Sequence, residues 1–211
     1  MKRQEIQIQD GMVFLCGPSA TGKSTLAKRI MQEAPFQEKI LFSYDDIISN
    51  HLVALGYAPS ARPGELSPLD LERCQEGISQ TFYDAMSTNG FLVCESVCYD
   101  PTKLAWILAA FPLCSQGKPL TVIKMLPKMR LQYQFYAKRG FSRDQVIDVM
   151  MHRRLFLPAS AQGFFAEQYG WVQDYLVEDP RSLEIEYVES GTTTKELEAA
   201  KMAYTSFCAG F

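Results

Sequence analysis

Residues 17–25 read Gly-Pro-Ser-Ala-Thr-Gly-Lys-Ser-Thr, a fit to G-x-x-x-x-G-K-[ST], and no other stretch of the chain restricts its fold as much. The pattern works where a strand ends and a helix begins. Backbone N–H groups there wrap an anion, which requires small residues and glycine dihedrals, and the helix N-terminus adds its dipole. The flanks comply: Met12–Cys16 is a continuous apolar run that reads as a buried strand, and Leu26, Ala27, Ile30, Met31 and Ala34 recur at helical spacing until Pro35. Gly17, Ser19, Ala20, Thr21, Gly22, Lys23, Ser24 and Thr25 are therefore the candidate phosphate-binding residues. Lys23 is the point charge for the β- and γ-phosphates, and the Ser24 hydroxyl is the expected Mg²⁺ ligand. The implied ligand is a Mg²⁺-bound nucleoside triphosphate. ATP and GTP both stay open, although the chain has no guanine-selecting N-K-x-D stretch.

The rest of the chain continues the alternation of strand and helix. Strand-like segments are Lys39–Tyr44, Phe91–Glu95, Leu120–Leu126 and Leu183–Val188. Between them lie a short helix from about Asp46 to Leu55 and a longer one from Ser67-Pro68 to Asn89-Gly90. Further helices open at Asp100-Pro101 and at Pro127, the latter ending at Gly140. Ser142 with Gln145 reads as a capping box for a helix to about Leu157, and Thr193 with Glu196 as the cap of a last helix. Such alternation predicts right-handed crossovers and one α/β domain over residues 1–211, with a central parallel sheet flanked by helices. At 211 residues, 47% hydrophobic and 21% charged, the composition is that of an ordinary globular chain. The N-terminal segment is charged without an apolar run after it, and no run approaches the roughly 18 residues of a membrane span. The six cysteines show no second pair at metal-ligand spacing, so a cytoplasmic, reduced setting is expected.

Phosphoryl transfer needs a base for the accepting hydroxyl and cations for the transferred group. Ser43-Tyr44-Asp45-Asp46 stands at the end of the second apolar strand, and ligands of open parallel sheets gather beyond the strands' carboxyl ends. Asp45 is the candidate base. Asp46 is expected either to cap the next helix or to join Asp45 at the acceptor. Glu95 ends the third strand, placed to hold an acceptor hydroxyl or, like Asp45, to order Mg²⁺ through water. The formal net charge of −3 divides unevenly: residues 124–154 carry eight Lys/Arg against two Asp, while the remainder is −9. Arg139 and Arg143 flank a helix break at Gly140-Phe141-Ser142, so residues 128–157 read as a helical lid carrying arginines to the phosphates, with Arg153 or Arg154 as further candidates. Lys124 and Lys128 read as a solvated helix face. His51 and His152 read as surface or packing residues.

The run GPSATGKST, the pair in FSYDD, the strand ending in LVCES and the stretch VIKMLPKMRLQYQFYAKRGFSRDQV together resemble the small P-loop kinases. The likeness covers about Met12 to Leu157 and points to the branch of zeta toxins, polynucleotide kinases and seryl-tRNA kinase. It implies a nucleoside-kinase-like P-loop fold with a helical lid, Asp45 as base, and Arg139 and Arg143 as lid arginines. Two positions depart from that branch. Ile48 stands where polynucleotide kinases often carry an arginine for the acceptor's phosphate, and Ser96-Val97 stands where zeta toxins usually have Gly-Thr. The acceptor site is expected in the variable segment of about residues 46–90. The reading favours a small hydroxylated acceptor, with a nucleic-acid 5′-hydroxyl or tRNA-linked hydroxyl second. A nucleotide-binding NTPase or regulatory module without an acceptor is the competing class.

Overall fold

The computed structural model describes residues 3–61, 63–88, 90–97, 118–157, 163–168 and 172–189. The helices expected at Asp100-Pro101 and at Thr193 lie outside them. In chain order the elements are β1 (Gln4–Gln9), β2 (Met12–Cys16), α1 (Lys23–Glu33), β3 (Ile40–Ser43), α2 (Tyr44–Ala54), α3 (Pro68–Met86), β4 (Leu92–Ser96), β5 (Leu120–Met125), α4 (Met129–Lys138), α5 (Arg143–Phe156), α6 (Phe164–Gln168), β6 (Val172–Val177) and β7 (Leu183–Val188). Short 3₁₀ turns occupy Pro63–Glu65 and Pro180–Ser182.

Five strands form one parallel sheet in the order β3-β4-β2-β5-β6, and β1 pairs with β7 in a separate two-stranded parallel sheet. The chain is an α/β fold with a central parallel sheet flanked by helices. Strand alternation shows why both faces must be covered. Met12, Phe14 and Cys16 of β2 enter a core with Phe82 and Met86 of α3, Phe156 of α5 and Phe165 of α6. Val13 and Leu15, one residue out of phase, enter the opposite core with Leu26, Ala27 and Ile30 of α1. Ile6 and Ile8 of β1 close that second core from outside.

The observed elements revise several expectations. β2 sits in the middle of the sheet, so its C-terminal end, where the glycine-rich loop begins, has a neighbouring strand on each side. The second strand is shorter than Lys39–Tyr44 because Tyr44 already belongs to α2, whose N-cap is the strand's last residue, Ser43, its hydroxyl accepting from the Asp46 N–H at 3.3 Å. Asp46 is thus the capped residue and not the cap. α3 stops at Met86, three residues before Asn89-Gly90. α4 begins at Met129, two residues after Pro127. The Ser142 capping box is present in both directions, with Gln145 N–H donating to Ser142 Oγ at 3.3 Å and Ser142 N–H to Gln145 Oε1 at 2.8 Å. β1, β6 and α6 had no sequence reading. β1 has only two apolar residues in six, and β6 follows a stretch with weak periodicity.

The largest correction concerns Lys124, read from sequence as solvated. It lies on β5, fully buried, with Nζ 2.8 Å from the Asp174 carboxylate of β6 and 5.2 Å from the Phe165 ring centroid. Asp174 also accepts from the Phe165 N–H at 2.7 Å, so the pair ties α6 to the sheet. Lys128 matches its reading, exposed and 3.6 Å from Glu178. His51 is a packing residue between α2 and α3: Nε2 lies 3.0 Å from Thr81 Oγ1, and its ring occupies the space beside Gly77.

Removing one member of a buried ion pair strands the other charge away from water, at a cost of about 3–5 kcal/mol. Lys124→Met should show a loss of that size in urea denaturation. Lys124→Met/Asp174→Leu should recover much of it, because no buried charge then remains unpaired.

Candidate functional site

The loop between β2 and α1 is held in its shape by close approach. Gly17 has φ +138°, and a Cβ there would stand 2.3 Å from the Met125 carbonyl oxygen at the end of β5. Gly22, at φ +94°, is the N-cap of α1 in a left-handed conformation, and no side chain caps the helix. The N–H groups of the first turn are thus left to another acceptor, an arrangement that suits a phosphate. Thr21 Oγ1 donates to the Pro18 carbonyl at 3.0 Å. Ser24 and Thr25 are exposed on the first turn of α1, with Ser24 available as a hydroxyl ligand for Mg²⁺.

Lys23 is buried beneath the loop, its Nζ donating to the Gly17 and Pro18 carbonyls at 2.9 and 2.8 Å. Burial lowers its pKa to about 8, against the pull of the Asp45 and Glu95 charges, which favour the ammonium, while Arg139 opposes it. Three sequence-predicted residues, Asp45, Glu95 and Arg139, therefore lie close enough to act electrostatically on a fourth, Lys23.

Asp45 occupies the second position of α2, where the helix N-terminus favours a carboxylate. Its side chain is open to solvent on one side, but the protein crowding the other side raises its pKa above the ordinary carboxylate value. Lys23 and a hydrogen bond from the Val97 N–H pull in the opposite direction, and Asp46 adds to the rise. Asp46 is exposed beside it. Glu95 is paired in register with Ser43 of β3 and Leu15 of β2, which brings the ends of the three strands together. Its Oε2 is buried without a hydrogen-bond partner among the described residues. A buried, unpaired carboxylate oxygen on a residue that acts electrostatically on Lys23 fits a hydrated cation or an acceptor hydroxyl.

Beside the loop opens a cleft of about 430 Å³, lined by Gly22, Thr25, Phe135, Arg139, Pro180 and Arg181 among others. Arg139 caps the C-terminus of α4 and is exposed at this cleft. Arg143, the first residue of α5, is exposed and does not line it. Arg153 is engaged elsewhere: its Nη1 donates to the Pro127 carbonyl at 2.7 Å and to the Gln132 side chain. Phe135, Pro180 and Arg181 had no sequence reading as site residues. The Asp179-Pro180 start of the 3₁₀ turn, with Asp179 accepting from the Arg181 N–H at 3.1 Å, is a cap signature that could have flagged that turn. No group of three or more His, Cys, Asp or Glu able to hold a metal occurs among the described residues, and none of their helices is long and apolar enough to cross a membrane.

No protein-family model and no curated protein matches this chain. Among solved structures it is similar to a chain of the Pnkp1/Rnl/Hen1 RNA repair complex, with a TM-score of 0.51, 13% identity, and coverage of 72% of this chain and 45% of that one. It is also similar to shikimate kinase from Acinetobacter baumannii in complex with shikimate (TM-score 0.47, 11% identity, 95% and 94% covered). A third likeness is to a structure of the PezAT toxin–antitoxin system of Streptococcus pneumoniae (TM-score 0.47, 12% identity, 96% and 88% covered). At these identities the likeness to the repair-complex chain is one of fold, and it extends over less than half of that chain.

The low pKa of Lys23 has a definite sign. Between about 8 and 10.5 the unfolded chain binds this proton and the folded chain does not. Folding stability should therefore rise with pH across that window, because the penalty for burying the charge is full below 8 and relieved above it, by roughly 3 kcal/mol in all. Denaturation of wild type and Lys23→Met at pH 7.5 and 10 should show the gain in the wild type and a flatter profile in the variant.

Proposed function

We propose that this chain is a phosphotransferase that moves the γ-phosphoryl group of a nucleoside triphosphate to a hydroxyl of a small, non-anionic acceptor. The observation that carries this reading is the convergence of Lys23, Asp45 and Glu95 at a loop whose helix has no side-chain cap. The triphosphate would lie on the Gly17–Thr25 backbone, with its base toward Phe135 and Pro180 in the adjoining cleft. Mg²⁺, held by Ser24 and through water by Glu95 or Asp45, would supply charge neutralisation between the phosphates. Asp45, oriented by the Val97 N–H, accepts the proton as the acceptor oxygen bonds to the γ-phosphorus. The bond from that phosphorus to the β–γ bridging oxygen breaks, and the nucleoside diphosphate leaves. A carboxylate whose proton affinity is raised is better suited to this role than an ordinary surface aspartate. Arg139 neutralises charge at the cleft, and Arg143 would join it on closure of the α4–α5 hairpin as a lid.

The acceptor's character follows from charge. Residues 44–97 carry eight carboxylates against two arginines. Arg73 lies 3.8 Å from Asp70, and position 48 is isoleucine. An acceptor bearing its own phosphates would meet repulsion there, whereas a neutral or amine-bearing polyol would not. A polynucleotide 5′-hydroxyl is the second acceptor class, carried by the fold likeness to the RNA repair chain.

Asp45→Asn should lower acceptor phosphorylation by roughly 10²–10⁴-fold while Mg·ATP binding stays near the wild-type value, measured by labelled phosphoryl transfer and calorimetry. Unchanged turnover would remove Asp45 as the base. A panel of neutral polyols, amino-polyols and 5′-hydroxyl oligonucleotides should give labelled product from the first two groups. Release of free phosphate alone across the panel would favour an NTPase.

A further inference from the structure

The tip of the phosphate loop is held from outside the loop. Gln132, one turn into α4, is fully buried, and its Nε2 donates to the Ser19 carbonyl at 3.2 Å. Its Oε1 accepts from the Arg153 guanidinium of α5. The two partners fix the orientation of the amide, since a carbonyl only accepts and a guanidinium only donates. Arg153 donates in turn to the Pro127 carbonyl at 2.7 Å, so a continuous run of bonds leads from the chain just after β5, through α5 and α4, into the loop.

The next residue gives an independent sign of constraint. Ala20 has φ +55°, in the left-handed region that disfavours a residue with a Cβ. It is buried against Tyr136 of α4 and Val149 of α5. Such a conformation persists where its surroundings over-determine it. The Ser19–Ala20 peptide is planar and trans, so its C=O and N–H point in opposite directions. Turning the Ser19 carbonyl toward Gln132 therefore turns the Ala20 N–H the other way.

We propose that Gln132 is a positioning residue for the phosphate loop, fixing the Ser19–Ala20 peptide so that the Ala20 N–H serves a bound phosphate, with Arg153 holding Gln132 in place. Nucleotide affinity is then set partly by how the α4–α5 hairpin is docked, a role distinct from that of Arg139 and Arg143. This rests on reading the loop as a nucleotide site.

The test compares wild type, Gln132→Met, Gln132→Glu and Arg153→Met by calorimetric titration with Mg·ATP and Mg·GTP, and by hydrogen exchange of residues 12–22 in the free protein. Gln132→Met should weaken nucleotide binding roughly tenfold, the scale of one lost hydrogen bond. It should also speed exchange at residues 17–22 and leave 12–16 unchanged. Gln132→Glu keeps an acceptor for Arg153 and so keeps the hairpin docked, but it sets an oxygen against the Ser19 carbonyl. It should lose affinity while melting near the wild-type temperature, and it carries the test if the methionine variant does not fold. Arg153→Met should reproduce part of the loss. Wild-type affinity and wild-type exchange in both Gln132 variants would overturn the proposal, as would faster exchange spread equally over residues 12–22. If wild type binds neither nucleotide, the phosphotransferase reading fails, and the exchange comparison still decides whether Gln132 orders the loop.

Discussion

Gly17 presses against the Met125 carbonyl with no room for a side chain, and much of the site follows from that approach. The contact seats the glycine-rich loop on the end of β5 as well as on its own strand. Lys23 is then forced under the loop, where burial makes its ammonium costly and the Asp45 and Glu95 carboxylates offset part of that cost. An ammonium held this way has a proton only moderately bound and feels the charge of two carboxylates.

The sheet order explains how those carboxylates come to be there. With β2 between β4 and β5, and β3 beyond β4, the C-terminal ends of β3 and β4 lie on one side of the loop. Parallel pairing brings Ser43, Leu15 and Glu95 into register. Asp45 follows because Ser43 ends its strand as a helix cap, and it stands two residues past that cap. The α4–α5 hairpin leaves β5 on the other side, meets the loop through Gln132 and Ala20, and presents Arg139 at the adjoining cleft. The Asp45 and Glu95 carboxylates and the Arg139 cation thus belong to opposite flanks of one loop.

Much of this was legible in the chain. Periodicity located β2, α1, β5 and β7, and the Ser142 capping box marked the start of α5 to the residue. The glycine-rich pattern identified its loop because each required residue type answers a local demand of the backbone. Asp45 and Glu95 were singled out because ligands of parallel sheets collect at strand ends, and both do stand at the ends of β3 and β4. The failures were non-local. Lys124 sits in a basic run and reads as solvated until Asp174, fifty residues later, is seen to bury it. Arg153 reads as a lid cation until Pro127 and Gln132 are seen to occupy it. β1 drew no reading as a strand because its two isoleucines gain meaning only against α1 and β7.

The sequence by itself determined the glycine-rich loop, the alternation of strands and helices and the candidate carboxylates, because turn geometry, periodicity and capping are short-range and each is written in neighbouring residues. The tertiary structure alone decided which charges meet. Whether a lysine or arginine is free to reach a ligand depends on partners brought from distant strands by sheet order, and in a low-dielectric interior such a partner outweighs any local tendency toward solvent.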